Sequence, residues 1–380
     1  MKIVYCLNSI RYLGGIPRVT ITKANALADI QGNDVYVIVT DNKAGVQTQQ
    51  LSDKVHLIDL DINYFAGDTE RSKLANYLIG QAQRRVHKKK LYKELCSIQP
   101  DVVISVGTSE KYMLTSMKNR TWKIIREFHI ETNYRKRLAV TTFDKFVASV
   151  VDFYDFNFKE KKYDKIVVLT QEDKDANWKG WDNVSVMPNP VSFHSESVSS
   201  LKQKEIISLG RLDYEKNYSS LIKAFMLVNK RFPDWKLSIY GEGGEQRSLQ
   251  QMIDQNDLAT KVFLKGTTKD VPGVLLESSI FALSSIIEGF SLVLIEAMEC
   301  GLPVVSYQCP GPKNIISDGK DGFLVPVGDE QMMADRICQL IEDEELRQNM
   351  GVAAKEKAKR YHRDEIAKQW MSLFDELVLS

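Results

Sequence analysis

The sequence has no long hydrophobic run and no cysteine pattern typical of a disulfide framework or a zinc site. No apolar stretch approaches the roughly 20 residues that span a bilayer, and the first residues, MKIVYCLNS, are typical of a strand rather than a signal segment. The five cysteines are odd in number, scattered and free of C-x-x-C spacing. We therefore expect a cytoplasmic protein with reduced cysteines.

The sequence also lacks the complete G-x-G-x-x-G pattern of dinucleotide-binding domains, and no acidic residue clearly ends the second predicted strand in the ribose position. Dinucleotide binding is therefore not expected. One D-x-D pattern, Asp59-Leu60-Asp61, is of the kind through which one class of sugar transferases binds a metal. It ends a strand far along the chain from the other polar motifs, so we predict no metal site there.

The chain length and the charge distribution indicate two domains of different character. A chain of 380 residues is too long for a single core and suits two domains. Residues 1–190 contain 29 Lys and Arg against 22 Asp and Glu, a net charge of +7, whereas the remainder carries −6. The basic residues concentrate in residues 84–93, 134–137 and 158–165. Such runs are either solvated helix faces or a surface for an anionic membrane or acceptor; no nucleic-acid partner is expected.

Strand-like and helix-like segments alternate in the first half. The predicted strands are mostly near-continuous apolar runs, which are typical of a parallel sheet covered on both faces. These strands are residues 2–7, 34–40, 55–60, 101–106, 122–128, 164–169 and 184–187. Helices are predicted between them, including residues 17–28 and 70–96. The pattern predicts a doubly wound α/β domain.

An aromatic-rich helix is predicted near residues 143–154. Its apolar positions are Phe143, Phe146, Val147, Val150, Val151 and Tyr154. Such a helix either faces a membrane or packs in the core, and the helical spacing favours the core.

The second half repeats the alternation after a proline-containing, serine-rich segment, residues 187–204, that we interpret as a linker. Its predicted strands are residues 205–209, 236–240, 262–264, 280–283, 303–307 and 322–325. Its predicted helices are residues 219–231, 246–255, 292–300 and 330–342. The final residues, 363–379, form an amphipathic pattern with no strand after it. We expect this terminal helix to cross back to the first domain.

The stretch EGFSLVLIE, residues 288–296, predicts a loop and a helix N-terminus directly after a buried strand. The amides of Ser291 and Leu292 would lie at the positive end of the helix, where phosphate oxygens bind. Glu288 is placed to accept hydrogen bonds from sugar hydroxyls, and Glu296, two turns into the helix, reaches another part of the same ligand. The alternative is an ordinary amphipathic helix with two incidental glutamates.

The second domain opens with SLGRLDYEKN, in which Arg211 and Lys216 follow the first strand. Their cationic groups can converge on a diphosphate and stabilise it as it departs. The glycine-rich turn that contains Gly241 and Gly243 and the loop at residues 265–273 follow the next two strands. Both segments are placed to line a nucleotide pocket at the carboxyl edge of the sheet.

Two features of the first domain also lie at predicted carboxyl ends of strands. Gly14 and Gly15 separate the first strand from a helix that Pro17 can open, which allows the backbone to approach a ligand closely. His129 follows the strand WKIIREF and can bond a sugar hydroxyl or stabilise charge near a reacting carbon. A lone histidine in such a place is also compatible with a structural role.

Taken in order, these blocks resemble the family 4 retaining glycosyltransferases of the GT-B fold over essentially the whole chain. The blocks are GGIPR, FH at 128–129, PN at 188–189, GRLDYEKN, YGEGGE, EGFSLVLIEAMECGLPVV and GPKNIISDGKDGFLVPVGD. The sequence departs from the family pattern at Asn314, where relatives usually carry an acidic residue, and at Pro190, where glycine is more frequent. The G-P-K version of the last block is similar to that of bacterial surface-polysaccharide enzymes.

The resemblance implies two Rossmann-like domains that face each other across a cleft. Residues 1–190 with the terminal helix 363–380 would bind the acceptor, and residues 191–362 would bind a nucleotide-sugar donor. Arg211 and Lys216 would hold the diphosphate, Glu288 the transferred sugar and Glu296 the ribose. The remaining implied contacts come from Gly289, Phe290, Ser291 and Leu292 around sugar and phosphate, from Gly14 and Gly15 in the opposite domain, and from His129 facing the sugar.

The resemblance further implies transfer of a hexose or N-acetylhexosamine from a UDP-sugar to a glycan or lipid-linked acceptor at the inner membrane face. The reaction would retain the anomeric configuration and need no metal or other cofactor. One alternative is a non-catalytic sugar-nucleotide-binding or scaffolding protein of the same fold. Another is a phosphorylase-like enzyme, which would need a lysine in a pyridoxal phosphate setting that this sequence does not display.

Overall fold

The computed structural model describes residues 1–11, 14–42, 50–62, 64, 73–107, 109–129, 132, 139 and 141–379. The chain divides into two compact units. Unit 1 comprises Met1–Pro190 with Ile366–Ser380, and unit 2 comprises Val191–Glu365. The basic run at 134–137 and the first residues of the predicted helix 70–96 lie outside the described residues.

Unit 1 is built on a seven-stranded parallel sheet. Its strands are β1 (Lys2–Leu7), β2 (Asp34–Val39), β3 (Val55–Asp59), β4 (Val102–Ser105), β5 (Lys123–Glu127), β6 (Lys165–Val168) and β7 (Val184–Val186). Their order is β3-β2-β1-β4-β5-β6-β7, and every pairing is parallel. The order reverses between β1 and β4, which is where doubly wound sheets leave a crevice for ligands. The predicted doubly wound domain is confirmed.

The helices of unit 1 cover both faces of this sheet. They are α1 (Gly15–Asp29), α2 (Lys73–Ile98), α3 (Lys111–Leu114), α4 (Thr142–Tyr154) and α5 (Gln171–Asn177). Apolar side chains from alternate positions of the strands enter separate clusters on the two sides of the sheet. Tyr5 packs on the side that holds α1, whereas Val4 packs on the side that holds the second half of α2.

The prediction that the aromatic helix packs in the core is wrong. All six apolar side chains that were predicted to face the core are exposed on α4: Phe143, Phe146, Val147, Val150, Val151 and Tyr154. The buried positions of the helix are instead Ala148 and Asp152, followed by Asp155 just beyond its end. The Asp155 carboxylate accepts hydrogen bonds from the buried Lys111 ammonium at 2.7 Å and from the Tyr112 hydroxyl at 2.5 Å. This polar anchor turns the apolar stripe outward.

Unit 2 repeats the architecture with a six-stranded parallel sheet. Its strands are β8 (Glu205–Leu209), β9 (Lys236–Tyr240), β10 (Val262–Leu264), β11 (Ile280–Leu283), β12 (Val304–Tyr307) and β13 (Gly322–Val325). Its helices are α6 (Tyr218–Arg231), α7 (Gln246–Gln255), α8 (Val271–Leu276), α9 (Leu292–Glu299), α10 (Pro310–Ile315), α11 (Glu330–Glu342) and α12 (Glu344–Ala358). The strand order, β10-β9-β8-β11-β12-β13, reverses between β8 and β11.

Two local predictions for unit 2 need correction. The loop expected at 265–273 ends early, because Asp270 caps Gly273 and starts α8 at Val271. The serine-rich segment after residue 191 connects the units but also packs on unit 2. There the Ser199 amide donates to the carbonyl of Cys300 at 2.8 Å, and the Arg347 guanidinium donates to the carbonyl of Leu201 at 3.1 Å.

The terminal helix α13 (Arg363–Leu379) belongs to the core of unit 1, as predicted. Ile366, Trp370 and Phe374 are buried against the face of the sheet that also carries α1. Within the described part of the chain, none of the helices combines the length and the apolarity needed to cross a membrane.

Candidate functional site

Two loops meet at the carboxyl edge of the unit 2 sheet, where the strand order reverses. One follows β8 and spans residues 210–217; the other follows β11 and spans residues 284–291. The Ile286 amide donates to the Glu215 carbonyl at 2.9 Å, and the Ser284 hydroxyl donates to the Lys216 carbonyl at 2.8 Å. These hydrogen bonds hold the two loops together as one surface.

An ion pair joins the two loops at this edge. The Lys216 ammonium lies 2.5 Å from the Glu288 carboxylate, and the side chains are 16% and 14% exposed. The backbone carbonyl of Glu288 accepts a hydrogen bond from the Gly311 amide at 2.9 Å, which ties the loop to the start of α10. The pair is therefore fixed in position but remains accessible to a ligand.

Arg211 lies on the first loop and is mostly exposed, at 69%. Its guanidinium pairs with the carboxylate of Asp213 at 2.8 Å and approaches that of Glu215 at 3.7 Å. Exposed pairs of this kind contribute about 0–1 kcal/mol. A doubly charged ligand can therefore compete for the guanidinium at little cost.

Gly241 and Gly243 support the loop that carries Arg211. A Cβ atom at Gly241 would lie 1.9 Å from the Gly210 carbonyl oxygen, and one at Gly243 would lie 2.5 Å from that of Leu212. Both positions therefore require glycine, and for Gly241 the backbone φ of +147° adds to the restriction. Both glycines are predicted to line a nucleotide pocket, and in the structure they pack against the backbone of Gly210 and Leu212 in the neighbouring loop.

The second loop ends at the N-terminus of α9. Ser291 is the N-cap residue, and the amides of the first turn have no acceptor within the helix. The Ser291 hydroxyl is fully buried and has no hydrogen-bond partner among the residues described, while Phe290 packs edge-on against Tyr361. Half-buried Gly289 and Leu292 flank these two residues. The combination of amides and a buried hydroxyl is suited to an anionic oxygen.

Glu296 lies on the same helix but is fully buried. Its carboxylate accepts a hydrogen bond from the Ser192 hydroxyl, which belongs to the segment that enters unit 2. Glu288 and Glu296 therefore sit in different surroundings: one is a partly exposed carboxylate beside a lysine, and the other is a buried carboxylate beside a hydroxyl.

The C-terminal end of α9 carries a cluster of charged and histidine side chains that was not predicted. The buried Glu299 accepts hydrogen bonds from the Lys355 ammonium at 2.8 Å and the Ser195 amide at 3.0 Å, and it contacts His194 at 2.8 Å and His362 at 2.9 Å. Burial alone would raise the pKa of Glu299, but these hydrogen bonds hold it below its usual value.

The ligand atoms of His194, Glu299 and His362 lie within 4.8 Å of one another, a spacing that a metal ion can bridge. The Lys355 ammonium donates to Glu299 Oε1, the oxygen that His194 also contacts, whereas His362 contacts Oε2. The same ammonium also donates to the backbone carbonyls of Ser195 and Glu299. In this structure the positive charge beside the Glu299 carboxylate is that of Lys355.

In unit 1, three predicted site residues lie at the carboxyl edge of the sheet. Gly14 is exposed and extended, and Gly15 begins α1, directly after the loop that follows β1. His129 lies two residues beyond the end of β5, and its side chain is buried. These residues are in a different unit from Arg211, Lys216 and Glu288.

His129 rests on a buried ion pair that was not predicted. Its Nε2 lies 3.4 Å from the carboxylate of Glu127, which forms a salt bridge with the Lys23 ammonium. Burial alone would raise the pKa of Glu127, but Lys23 and His129 together lower it to about 2. Burial lowers the pKa of His129, and Glu127 offsets that effect only in part. The structure thus places an imidazole whose pKa is lowered by burial beside the carboxylate of Glu127.

A sequence signal for this pair was present but weak. Lys23 interrupts the buried face of α1, and Glu127 ends an otherwise apolar buried strand. A charged residue on a buried face needs a partner, so each of these two residues is a sign that an opposite charge lies nearby in the fold. Only the fold shows that two residues 104 positions apart are each other's partner.

Comparisons with known proteins agree with this architecture. The family model "Glycosyl transferases group 1" matches residues 192–357. A Haemophilus influenzae protein named as an uncharacterized glycosyltransferase is 30% identical over 381 residues, which cover 98% of this chain and 99% of that protein. The amylovoran biosynthesis glycosyltransferase AmsD of Erwinia amylovora is 32% identical over 222 residues, or 56% of this chain and 62% of AmsD.

A solved structure shares the fold at low sequence identity. A mutant of S. aureus TarM, in complex with Fondaparinux, alpha-GlcNAc-glycerol and UDP, superposes with a TM-score of 0.77 at 16% identity. The match covers 98% of this chain and 99% of the TarM chain.

Proposed function

Because this chain belongs to the group 1 glycosyltransferases, we propose that it transfers a hexose or N-acetylhexosamine from a UDP-sugar to a glycan or lipid-linked acceptor in surface polysaccharide biosynthesis. The observation that carries this proposal is the accessible Lys216–Glu288 pair beside the N-terminus of α9. The amylovoran role in the name of AmsD supports the pathway, and the UDP in the TarM complex supports the donor.

The cations at this edge would stabilise the departing UDP. An ammonium has three N–H donors, so Lys216 can keep its bond to Glu288 and still donate to phosphate oxygens. Arg211 would exchange its exposed pair with Asp213 for the diphosphate, to which it can donate two parallel hydrogen bonds. The Ser291 hydroxyl and the first-turn amides of α9 would complete the anion site. We propose that these groups act without a metal ion or another cofactor.

Glu288 would orient the transferred sugar. Its carboxylate is held by Lys216 and by the hydrogen bond from Gly311 to its own backbone, so its free lone pairs point in a fixed direction. A fixed acceptor favours sugars whose hydroxyls match its position. Glu296, held by Ser192 in the buried part of α9, would act on the ribose side of the donor.

The proposed transfer retains the anomeric configuration. The bond from the anomeric carbon to the phosphate oxygen breaks, and a bond to the acceptor oxygen forms on the same face of the sugar. The acceptor proton passes to the departing phosphate, which leaves as part of UDP. The Glu288 carboxylate is bound by the Lys216 ammonium, so in this route the departing phosphate, and not Glu288, takes the proton. We further propose that Gly14, Gly15 and His129 bind sugar or phosphate groups of a ligand at the carboxyl edge of the unit 1 sheet.

The decisive experiment is a transfer assay with a panel of nucleotide sugars. Purified full-length protein is incubated with each donor and a membrane extract as acceptor source, in the presence of EDTA, and the release of UDP and labelled product is measured. We expect turnover of a UDP-sugar that EDTA does not reduce. Activity restored only by Mg²⁺ or Mn²⁺ would overturn metal independence. UDP binding without transfer to any acceptor would favour the scaffolding alternative.

The stereochemical part has a separate test. The NMR signal of the anomeric proton in the newly formed linkage should show the same configuration as in the donor. An inverted product would contradict the proposed same-face transfer while leaving the family assignment intact.

A further inference from the structure

Helix α4 of unit 1 exposes an apolar face that the donor site does not use. Phe143, Phe146 and Phe153 are 72%, 65% and 64% exposed. Five further apolar residues on or just after the helix are also exposed: Val147, Val150, Val151, Tyr154 and Phe158. Scattered single apolar residues are ordinary on a protein surface, but a continuous helical stripe marks an interaction site.

The outward direction of this stripe is fixed by the polar side of the helix. Asp155 is buried and bound by the Lys111 ammonium and the Tyr112 hydroxyl, while Asp152 is buried one turn earlier. Lys111 is itself buried, and its carbonyl accepts a hydrogen bond from the Tyr163 hydroxyl at 2.9 Å. Rotating the apolar face inward would break this ion pair and expose its charges, so the exposure is built into the fold.

The charges around the stripe are mainly positive at the surface. Lys145, Lys161 and Lys162 are exposed, whereas the acidic residues Asp152, Asp155 and Glu160 in the same stretch are buried. Asp144 is the exposed exception, and its carboxylate is engaged in capping the helix at Thr141. The surface therefore combines apolar side chains with ammonium groups.

Aromatic residues with nearby lysines complete this surface. The Lys159 ammonium lies 5.3 Å from the ring of Tyr154 and 5.6 Å from that of Tyr112. Amphipathic helices with aromatic side chains on one face and lysines beside them lie in the interface of anionic bilayers. Each lysine near such a surface adds an attractive contribution that salt weakens.

From this arrangement we propose that α4 and the following residues, 155–162, bind an anionic lipid surface, with the apolar stripe inserted among the headgroups. This inference rests on the proposed function, since it specifies the membrane at which a lipid-linked acceptor would be met. It stands on residues separate from Arg211, Lys216 and Glu288.

The test is co-flotation of the full-length protein with phosphatidylcholine vesicles that either contain or lack phosphatidylglycerol. We expect binding to the anionic vesicles that decreases with salt. The double variant Phe146→Ser with Phe153→Ser should lose at least about tenfold in apparent affinity. The matched control Val352→Ser, which changes an exposed apolar residue on α12, should bind like the wild type. Unchanged binding by the phenylalanine variant would overturn the proposal.

Charge reversal tests the electrostatic part. The double variant Lys161→Glu with Lys162→Glu should bind anionic vesicles about tenfold more weakly and with a smaller dependence on salt. The control is Lys202→Glu with Lys230→Glu in unit 2, which should bind like the wild type. Light scattering tests the alternative that the stripe binds a second copy of the chain. If the wild type is a dimer that does not bind vesicles and the phenylalanine variant is a monomer, the lipid proposal is overturned. Circular dichroism melts verify that the variants fold.

The failure of this inference is distinguishable from failure of the proposed function. Hydrolysis of a UDP-sugar in the absence of vesicles reads the donor site alone and should be unchanged in the phenylalanine variant. Vesicle binding without any donor turnover would support lipid binding by α4 and overturn the proposed function. Donor turnover without vesicle binding would support the proposed function and overturn lipid binding by α4.

Discussion

Unit 1 and unit 2 each hold a lysine–glutamate pair at the carboxyl edge of a parallel sheet, and the two pairs differ in their access to solvent. Lys23 and Glu127 are 2% and 1% exposed, with the Lys23 ammonium also lying 4.9 Å from the ring of Trp370. Lys216 and Glu288 retain 16% and 14% exposure between two loops. The same chemical pair can therefore stabilise a core in one unit and present charge to a ligand in the other.

A third pair, Lys355–Glu299, is intermediate, because the carboxylate is fully buried and the ammonium is partly exposed. Removing one member of a buried pair should mainly reduce stability, since the other charge loses its partner inside the protein. Removing one member of an accessible pair should mainly reduce function.

The largest expected effect is on stability and comes from Lys23→Ala. Leaving Glu127 buried without its partner should cost about 3–5 kcal/mol in the free energy of unfolding. Urea denaturation followed by circular dichroism measures it, with Lys54→Ala as the control, because Lys54 pairs with Asp29 on the surface. The control should change by less than about 1 kcal/mol.

Replacing both members of the buried pair should be less damaging than removing one. Lys23→Met combined with Glu127→Leu removes the buried charges together and should recover much of the lost stability. If Lys23→Ala alone destabilises no more than Lys54→Ala, the pair does not support the core of unit 1.

The next effect is on catalysis and comes from Lys216→Ala. Under the proposed function, the loss of this charge partner should reduce kcat/KM by about 30- to 1000-fold, equivalent to about 2–4 kcal/mol of transition-state stabilisation. Its effect on stability should be smaller than that of Lys23→Ala. Steady-state kinetics with the preferred donor measure the change, and Lys223→Ala on α6 is the matched control. An unchanged kcat/KM would remove Lys216 from the mechanism.

A smaller effect, dependent on pH, is expected for Glu299→Gln. The substitution should cost about 1–3 kcal/mol at pH 7, because charged hydrogen bonds to Lys355 are lost. The pKa of Glu299 in the folded state is lower than that of an unfolded glutamate, which is about 4.3. The stabilisation is therefore fully present above that pH and is lost as the pH falls through the lower folded value.

Chemical denaturation of the wild type and of Glu299→Gln, from neutral pH into the acid range, measures how the difference in their free energy of unfolding changes with pH. The difference between wild type and Glu299→Gln should shrink as the pH falls below about 4. Glu356→Gln, which removes an exposed pair with Lys359, serves as the control and should show almost no difference throughout. A difference that stays constant with pH would show that Glu299 does not titrate as described.

The smallest effect is expected for Glu288→Gln. The amide keeps the shape of the side chain but weakens hydrogen bonds to the sugar, so kcat should fall about tenfold while the Kd for UDP changes little. Calorimetric titration with UDP and kinetics with the full donor separate the two quantities. Equal losses in both would assign Glu288 to the nucleotide rather than to the sugar.

The sequence predicts the sheets of both units well because their strands are apolar runs between turns. The bounds of β1 and of β8 to β11 are the same as the predicted ranges. The sequence also placed Lys216 and Glu288 after strands of the same predicted domain, but only the strand order shows that β8 and β11 are neighbours, which brings the two side chains together. By contrast, α12 was not predicted, because three of its five buried positions, Gly351, Ala354 and Ala358, are small and a fourth, Arg347, is charged, so the helix has no clear apolar stripe.

The orientation of α4 could not be predicted from its periodicity. A helical repeat of apolar residues shows that one face is apolar, but it does not show which face the fold buries. That choice depends on Lys111, 44 positions before its partner Asp155, and on the energy of keeping that ion pair intact. The Lys23–Glu127 and Lys355–Glu299 pairs were missed for the same reason: their partners are distant in sequence.

The close packing of Gly241 and Gly243 against the β8 loop has a consequence for reading inactive variants. A methyl group at either position must push away the carbonyl of Gly210 or Leu212, and with it the segment that carries Arg211. A mutational screen for loss of transfer would collect alanine substitutions at these glycines together with those at Arg211. Their shared phenotype would report a displaced backbone, not a shared contact with the nucleotide.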